Sequence, residues 1–242
     1  MTLHDANSFL EYRKQQEKIH LDRIKNSKNP LDSILTVEIN ATELCNRTCV
    51  FCPRHDPEVY PNRNLNMTPQ DAFNIARKLK DADYTGRISF SGFGENLLNK
   101  KFTQIIKNFR LVLRKNWLEC NTNGDVLTSK NVNSLYDAGL DMLYINLYDR
   151  PEQADDFTKI MEDAKVPVSR YSLRAHWVGA IEDYGLKLNN SSGTITWLDL
   201  DEDEVENLKG SKCYYPYYKM FVDWNGDVLF CSNDWGREII IG

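Results

Sequence analysis

The sequence predicts an α/β fold built on a parallel β-sheet. Three observations support this class: short apolar and β-branched runs recur along the chain, amphipathic segments of about ten residues or more separate them, and 242 residues are enough for one large core. Strands that alternate with helices indicate βαβ units, in which the crossovers are right-handed and the strands are parallel. The five strands found in this way form an open or partial barrel, unless a further strand follows Arg174.

The predicted elements begin with an amphipathic helix over residues 1–30, which ends at Asn29-Pro30 and is expected to pack outside the core. The first strand, Ile34 to Ile39, is β-branched and apolar. The next helix starts at Thr68-Pro69-Gln70-Asp71, a capping residue followed by proline and an acid, and runs to about Asp83. The elements that follow alternate: strand 87–91, helix 101–114, strand 117–121, helix 129–138, strand 142–147, helix 154–164 and strand 168–173.

The alternation ends near Ala175, and the chain from there to Gly210 contains Gly, Asn and Ser turns and an acidic stretch at 199–206. In the tail, two apolar runs flank Trp224-Asn225-Gly226, and Asn-Gly is a strong hairpin signal. We therefore expect three parts: an N-terminal helix over residues 1–30, a partial barrel over 31–210, and a small C-terminal β-hairpin extension over 211–242.

Composition limits the partners of this protein. A net charge of −5 and a pI near 5.5 argue against nucleic acid or an anionic membrane surface as the main partner, because both call for a basic face. No apolar run approaches the ~18 residues of a membrane span, and the N-terminus lacks the apolar region of a signal peptide, so we expect a cytoplasmic protein. Six cysteines, three of them crowded together, indicate a metal site rather than a disulfide framework.

The three crowded cysteines are Cys45, Cys49 and Cys52, just after the first predicted strand. A structural zinc site needs four ligands, whereas three thiolates hold three irons of a 4Fe-4S cluster and leave the fourth iron open to an outside ligand. An iron with an open coordination position indicates a catalytic site rather than a purely structural one. A zinc site with His55 as fourth ligand and a chance group of buried thiols are the alternatives.

The C-x3-C-x2-C spacing, in a loop after the first strand of an alternating β/α chain and with Phe51 before the last cysteine, resembles the radical S-adenosylmethionine (radical SAM) superfamily. The resemblance implies a partial (β/α)6-type barrel in which Cys45, Cys49 and Cys52 bind a 4Fe-4S cluster. It also implies that the methionine part of SAM chelates the fourth iron, and that the reduced cluster cleaves SAM to methionine and a 5'-deoxyadenosyl radical. Phe51 is expected to flank the adenine.

A second motif, Ser91-Gly92-Phe93-Gly94-Glu95, follows the next strand and is similar to the Gly-Gly-Glu motif of that family. The similarity implies that Gly92, Gly94 and Glu95 bind the methionine part of SAM. Glycines let the main chain approach a ligand closely, and a carboxylate suits an ammonium group. Phe93 stands where the family often has its first glycine, and Asn96 replaces a frequent proline. An ordinary turn between a strand and a helix is the alternative.

Polar residues at later strand ends extend the predicted site, because ligands in parallel α/β folds gather at the C-terminal edge of the sheet. Asn121-Thr122-Asn123-Gly124 looks like the family's Thr-Asn-Gly turn near SAM. Asn146 is expected to bond the ribose and Arg174 to pair with the SAM carboxylate, with a turn or surface role as the alternative for both. Cys120 lies within a strand and is expected to be a core residue rather than a ligand.

Cys213 and Cys231 in the tail are separated as C-x12-G-x4-C, which resembles the start of a SPASM or shorter twitch extension. Such extensions hold one or two auxiliary 4Fe-4S clusters, but two thiols cannot fill a four-ligand site. We expect a possible auxiliary cluster at these residues and a sequence truncated at Gly242, because further cysteines normally follow. Structural thiols on a hairpin are the alternative.

These motifs predict a radical SAM enzyme that abstracts hydrogen from its substrate, with SAM and a 4Fe-4S cluster as cofactors and an electron donor such as flavodoxin or ferredoxin as partner. A peptide or protein substrate is slightly preferred over a small molecule, and a twitch-type dehydrogenase of aminosugar alcohols is the alternative. Two rivals from other classes remain: a non-catalytic zinc- or cluster-binding protein, and a cluster-bearing electron carrier. No catalytic acid or base stands out in the sequence.

Overall fold

The computed structural model describes residues 21–22, 25–26, 30–176, 191–198 and 213–242 of the chain. The N-terminal helix predicted over residues 1–30 therefore lies almost wholly outside the described residues, and so does the acidic stretch at 199–206. In the described ranges, no helix is both long enough and apolar enough to cross a bilayer.

Helices and strands alternate as predicted through most of the described chain. The helices are α1 (Pro30–Ser33), α2 (Pro69–Asp81), α3 (Phe102–Val112), α4 (Ser129–Asp137), α5 (Gln153–Asp163) and α6 (Tyr215–Tyr218). The strands are β1 (Thr36–Ile39), β2 (Arg87–Phe90), β3 (Leu118–Thr122), β4 (Met142–Leu147), β5 (Tyr171–Ala175), β6 (Lys219–Val222) and β7 (Val228–Leu229). Short 3-10 turns lie at Pro53–His55, Asn96–Leu98, Val168–Arg170 and Ser191–Gly193.

The start of α2 shows why its prediction succeeds. The Thr68 hydroxyl accepts a hydrogen bond from the Asp71 amide, and the Asp71 carboxylate accepts one from the Thr68 amide. This capping box satisfies two donors that the first helical turn leaves unpaired. The strand predicted at 168–173 begins three residues later in the structure, because Val168 is exposed in a 3-10 turn and the buried run of β5 begins at Tyr171.

Within the described residues the strands form one sheet in the order β5-β4-β3-β2-β1-β6-β7. The first six strands in this order are parallel, as predicted, and only β7 runs antiparallel to its neighbour β6. The additional strand comes from the tail and lies beside β1, where Ile39 is in register with Val222. The predicted C-terminal hairpin thus contributes its first strand to the barrel sheet.

The two faces of the sheet differ in chemistry. One face carries fully buried aliphatic and aromatic residues, among them Val37, Phe90 and Leu143, which pack on α2 to α5. The residues that alternate with them on β1, β2 and β3 are polar, including Glu38, Ser89 and Glu119. Because side chains alternate across a strand, this second face gives the partial barrel a polar interior.

Candidate active site

An open cavity of about 270 Å³ lies at the C-terminal edge of the sheet. Its position at the carboxyl ends of parallel strands is the usual one for ligand sites in this class of fold. Ten of the predicted site residues line it: Cys45, Cys49, Phe51, Cys52, Gly92, Gly94, Glu95, Asn121, Asn123 and Asn146. The structure therefore gathers loops that follow four different strands.

The thiols of Cys45, Cys49 and Cys52 are partly buried and belong to no disulfide. Burial raises the pKa of all three, and that of Cys49 reaches about 12 because the charge of a Cys52 thiolate adds to desolvation. Three thiolates at this site therefore need a positive metal centre beside them. Among the described residues, no three His, Cys, Asp or Glu side chains are grouped closely enough to hold one metal ion.

His55 does not support the alternative of a zinc site. Its ring contacts Trp197 with a centroid separation of 5.5 Å, and its Nδ1 atom lies 3.1 Å from the carbonyl oxygen of Thr48. The side chain is exposed and does not line the cavity.

Arg47, between the first two cysteines, fastens the cysteine loop to two neighbouring strand ends. Its guanidinium donates to Asp125 after β3, at 2.7 and 2.5 Å, and to Asp149 after β4, at 2.7 Å for each bond. These paired bonds raise the pKa of Arg47 and lower that of Asp149. Bidentate arginine-carboxylate bonds fix orientation as well as distance. The loop that carries the cysteines is thus held against β3 and β4.

Glu95 is a buried carboxylate at the cavity wall. Its Oε1 atom accepts from the Thr122 hydroxyl and the Leu97 amide, and its Oε2 atom accepts from the Asn123 amide at 2.7 Å. Burial raises its pKa, while the three donors favour the charged form. No cationic side chain pairs with it in the described part of the chain. A carboxylate has room for further donors, so Glu95 suits an incoming ammonium group.

Gly92 and Gly94 of the same turn are required for the packing of the protein itself as well as for the approach of a ligand. A Cβ atom on Gly94 would lie 2.1 Å from the carbonyl oxygen of Thr42, and Gly92 has a φ of +139°. The Glu95 amide also donates to the carbonyl of Leu44, at 2.7 Å. The turn therefore packs directly on the entrance to the cysteine loop, and only glycine allows that approach.

The predicted asparagines are brought to the cavity, each with protein partners. Asn123 donates to Asn46 in the cysteine loop at 2.9 Å. Asn146 donates to the carbonyl of Thr122 at 3.1 Å, and its side-chain oxygen lies 3.0 Å from Nε2 of His176. Burial lowers the pKa of His176 to about 4, so this histidine is neutral near pH 7.

Three predicted residues lie outside the lining of the cavity. Arg174 is half-buried over the ring of Tyr144, 3.7 Å from its centroid, and donates to Asn121, which lines the cavity. Cys213 is exposed and Cys231 is half-buried. The side chains of Tyr215 and Ser232, which are hydrogen-bonded at 3.1 Å, hold the segments that carry these two cysteines together. Cys120 is fully buried in the core, as predicted.

Sequence reasoning missed several residues of the site. Tyr148 packs on Phe51 with ring centroids 5.5 Å apart, and Trp235 of the C-terminal tail forms part of the wall. Tyr148 follows β4 directly, so its place after a strand was an available signal. Trp235 and Arg47 carried no such signal, because their contacts join segments far apart in the chain.

The fold and the site together define a class of protein, and comparison with known proteins identifies that class. The model of the radical SAM superfamily matches residues 39–209, and the chain belongs to that superfamily. The family implies a 4Fe-4S cluster and SAM as cofactors of an enzyme. Three free thiols and a buried carboxylate line one cavity, and no cationic side chain among the described residues pairs with that carboxylate. These groups fit a 4Fe-4S cluster and SAM.

Two curated relatives show which enzymes this chain resembles in sequence. The S-adenosyl-L-methionine-dependent 2-deoxy-scyllo-inosamine dehydrogenase of Niallia circulans is 25% identical over 230 residues, covering 88% of this chain and 78% of that protein. The GTP 3',8-cyclase of Clostridium perfringens (strain 13 / Type A) is 25% identical over 189 residues, covering 77% of this chain and 54% of that protein. This chain therefore spans about half the length of the cyclase.

Solved structures show the same fold. BtrN in complex with AdoMet and 2-DOIA aligns with a TM-score of 0.69 at 22% identity, covering 86% of this chain and 77% of that one. Streptococcus suis SuiB bound to precursor peptide SuiA aligns with a TM-score of 0.50 at 14% identity, covering 97% of this chain and 66% of that one.

Proposed function

We propose that this protein is a radical SAM dehydrogenase that oxidises a secondary alcohol of an aminocyclitol or a similar polyhydroxylated small molecule. The observation that carries the proposal is the similarity to 2-deoxy-scyllo-inosamine dehydrogenase over most of both chains. It selects the small-molecule alternative over the peptide substrate that was slightly preferred from the sequence. The interior of the partial barrel provides independent support.

The cofactors are assigned to the residues that line the cavity. Cys45, Cys49 and Cys52 bind the 4Fe-4S cluster, and the turn from Gly92 to Glu95 binds the methionine part of SAM, with its ammonium on Glu95. When bound, the cluster and SAM supply a reducing electron and a hydrogen-abstracting radical. Phe51, held by Tyr148, flanks the adenine, and Asn121, Asn123 and Asn146 serve the remaining polar edges of SAM.

The polar interior of the barrel suits a polyhydroxylated substrate. Its charges are largely compensated: Lys219 pairs with Glu38 at 2.6 Å, and Arg87 with Glu119 at 3.7 Å. The cavity itself is lined by amide and hydroxyl side chains, including Ser91, Asn121 and Asn146, which suit hydrogen bonds to hydroxyl groups of a substrate.

The reaction also needs an electron acceptor. Oxidation of an alcohol to a ketone removes one hydrogen atom, one proton and one electron. When bound, SAM and the 4Fe-4S cluster would supply the radical that takes the hydrogen atom. Water would take the proton, and an auxiliary iron-sulfur cluster would take the electron. Cys213 and Cys231 would supply two of its ligands, in keeping with the contact between their neighbours Tyr215 and Ser232. Flavodoxin or ferredoxin would supply the first electron.

The test is anaerobic turnover by protein reconstituted with iron and sulfide. Incubation with dithionite, SAM and 2-deoxy-scyllo-inosamine should give 5'-deoxyadenosine and a ketone lacking two hydrogens in equal amounts. The triple variant Cys45→Ala, Cys49→Ala, Cys52→Ala should give neither product. The same incubation with GTP should give no cyclised nucleotide.

Two results would overturn the proposal. Cleavage of SAM without any change in aminocyclitols would leave the radical SAM assignment and reject the substrate class. Equal SAM cleavage by the triple cysteine variant would reject the cluster assignment itself. Metal analysis separates the remaining rival, since one zinc per chain without iron or labile sulfide would indicate a structural site.

A further inference from the structure

The loop that follows β7 in the C-terminal hairpin forms one wall of the cavity. Asn233 and Trp235 line the cavity together with the turn from Gly92 to Glu95. The indole of Trp235 contacts the ring of Phe93, with centroids 4.4 Å apart. The hairpin loop, defined here as residues 231–237, is therefore in direct contact with the turn assigned to SAM.

A chain of buried polar contacts joins the same loop to the backbone of that turn. The Nε atom of Arg237 donates to Asp223 at 2.5 Å, and the amide of Asn40 donates to the other oxygen of Asp223 at 2.7 Å. The side-chain oxygen of Asn40 in turn accepts from the amides of Phe93 and Gly94, at 3.1 and 3.2 Å. Asp223 and Asn40 are completely buried, so the hydrogen bond between them is shielded from water.

Arg237 has a second buried carboxylate partner. Its guanidinium forms an ion pair with Glu43, which is 2% exposed and also accepts from the Tyr60 hydroxyl at 2.8 Å. Arg237 thus lies between two buried acids, and removing it would leave two unpaired charges in a dry environment. Its φ of +55° places a non-glycine residue in the left-handed region, a conformation that persists only where surrounding contacts hold it.

An aromatic contact supports the same connection. The ring of Phe93 is 3% exposed and packs between Tyr60, Phe221 and Trp235, with centroid separations of 5.8, 4.8 and 4.4 Å. The guanidinium of Arg237 lies 5.2 Å from the centre of the Phe93 ring. The turn is therefore held to the hairpin by both a polar chain and an aromatic cluster.

We infer that Arg237 is a positioning residue for SAM: it acts through Asp223 and Asn40 to hold the turn from Gly92 to Glu95 in its binding geometry. The inference rests on the proposed SAM site and adds that the C-terminal hairpin is part of that site. Because coupling between two regions is reciprocal, binding of SAM should also order the hairpin loop.

The test measures SAM affinity in the reconstituted full chain by equilibrium dialysis under anaerobic conditions. Arg237→Gln removes the cation, and Arg237→Lys keeps a charge but lacks the planar fork that spans both acids. Arg170→Gln is the matched control, because Arg170 is also half-buried but bonds the carbonyls of Leu140 and Asp141 at the opposite edge of the sheet. Iron content and the thermal midpoint are measured for every variant.

The dissociation constant for SAM should rise about tenfold, or about 1.4 kcal/mol, in both Arg237 variants and stay at the wild-type value in Arg170→Gln. Iron content should not change. In the wild-type protein, SAM should slow amide hydrogen exchange across residues 231–237 as well as 92–95, a measurement that does not depend on whether a variant folds.

Unchanged SAM affinity in folded Arg237 variants would overturn the inference and leave the proposed function intact. Protection of residues 92–95 without protection of 231–237 would do the same. Failure of the wild-type protein to bind SAM would instead overturn both the proposed site and the inference.

Discussion

Replacement of Arg47 by alanine tests how the cysteine loop is held over the barrel. Arg47 donates four hydrogen bonds of 2.5 to 2.7 Å to Asp125 and Asp149, and no other residue of the loop joins it to both strand ends in this way in the described part of the chain. The Arg47 side chain is 17% exposed, whereas the side chain of Asp125 is 26% exposed and that of Asp149 is 52% exposed. The two pairs therefore differ in strength.

The ion pair of Arg47 with Asp149 is partly exposed to solvent and stabilises the loop by at most about 1 kcal/mol. The paired bonds to Asp125 are more buried, and charge-assisted bonds of this kind stabilise by about 1.5 to 3 kcal/mol. Losing both should make opening of the loop easier by about 2 to 3 kcal/mol, so that the open form is populated about 30- to 150-fold more often.

The assay is the rate at which an iron chelator bleaches the reconstituted cluster under anaerobic conditions. If the chelator reaches iron through loop opening, the rate for Arg47→Ala should rise by about the same factor. Arg150→Ala is the control, because its pair with Asp156 is exposed on both sides and should have no effect on bleaching. Equal bleaching rates for the wild-type protein and Arg47→Ala would show that the arginine does not hold the loop.

Three further predictions test single residues. Glu95→Gln should weaken SAM binding about 10- to 100-fold, measured by equilibrium dialysis, because it removes the charge proposed to bind the ammonium group. It should also lower the thermal midpoint, because the new amide nitrogen would face the N–H of Leu97 or Asn123, which the carboxylate accepts in the wild-type protein. Gly94→Ala should lower the free energy of unfolding by several kcal/mol, measured by chemical unfolding, because its Cβ would lie 2.1 Å from the carbonyl oxygen of Thr42. Gly193→Ala is the control: its Cβ would meet no atom within 4 Å, so only the left-handed φ should cost about 1 to 2 kcal/mol. His176 has its pKa lowered from 6.5 to about 4 in the folded protein, so the unfolded chain binds more protons between these values and stability is lost as pH falls through this window. His176→Gln should remove about 1 to 3 kcal/mol of that acid-dependent loss of stability, so the unfolding free energy should depend less steeply on pH between about 6.5 and 4. Equal slopes in the wild-type protein and the variant would contradict the lowered pKa of His176.

Local signals made much of the fold predictable. The capping box at Thr68 and the turn at Asn225-Gly226 are encoded within a few residues, and both form as the sequence predicts. The displaced strand β5 shows the limit of such signals, since Val168 has a high strand propensity but lies outside the buried run that decides where the strand begins. Propensity describes a residue, whereas burial depends on what packs against it.

The sequence by itself determined the chemistry of this protein: three thiols at Cys45, Cys49 and Cys52, and a glycine turn ending in Glu95, each placed after a strand. Parallel strands bring their carboxyl ends to one edge, so this placement was enough to gather the site. Only the tertiary structure decided how the site is held. The pairing of β6 with β1 brings Arg237 to Asp223 and Asn40, across almost two hundred residues of chain, and the contacts of Arg47 likewise join distant loops. Such contacts follow from the packing of whole elements, for which a local stretch of sequence carries no signal.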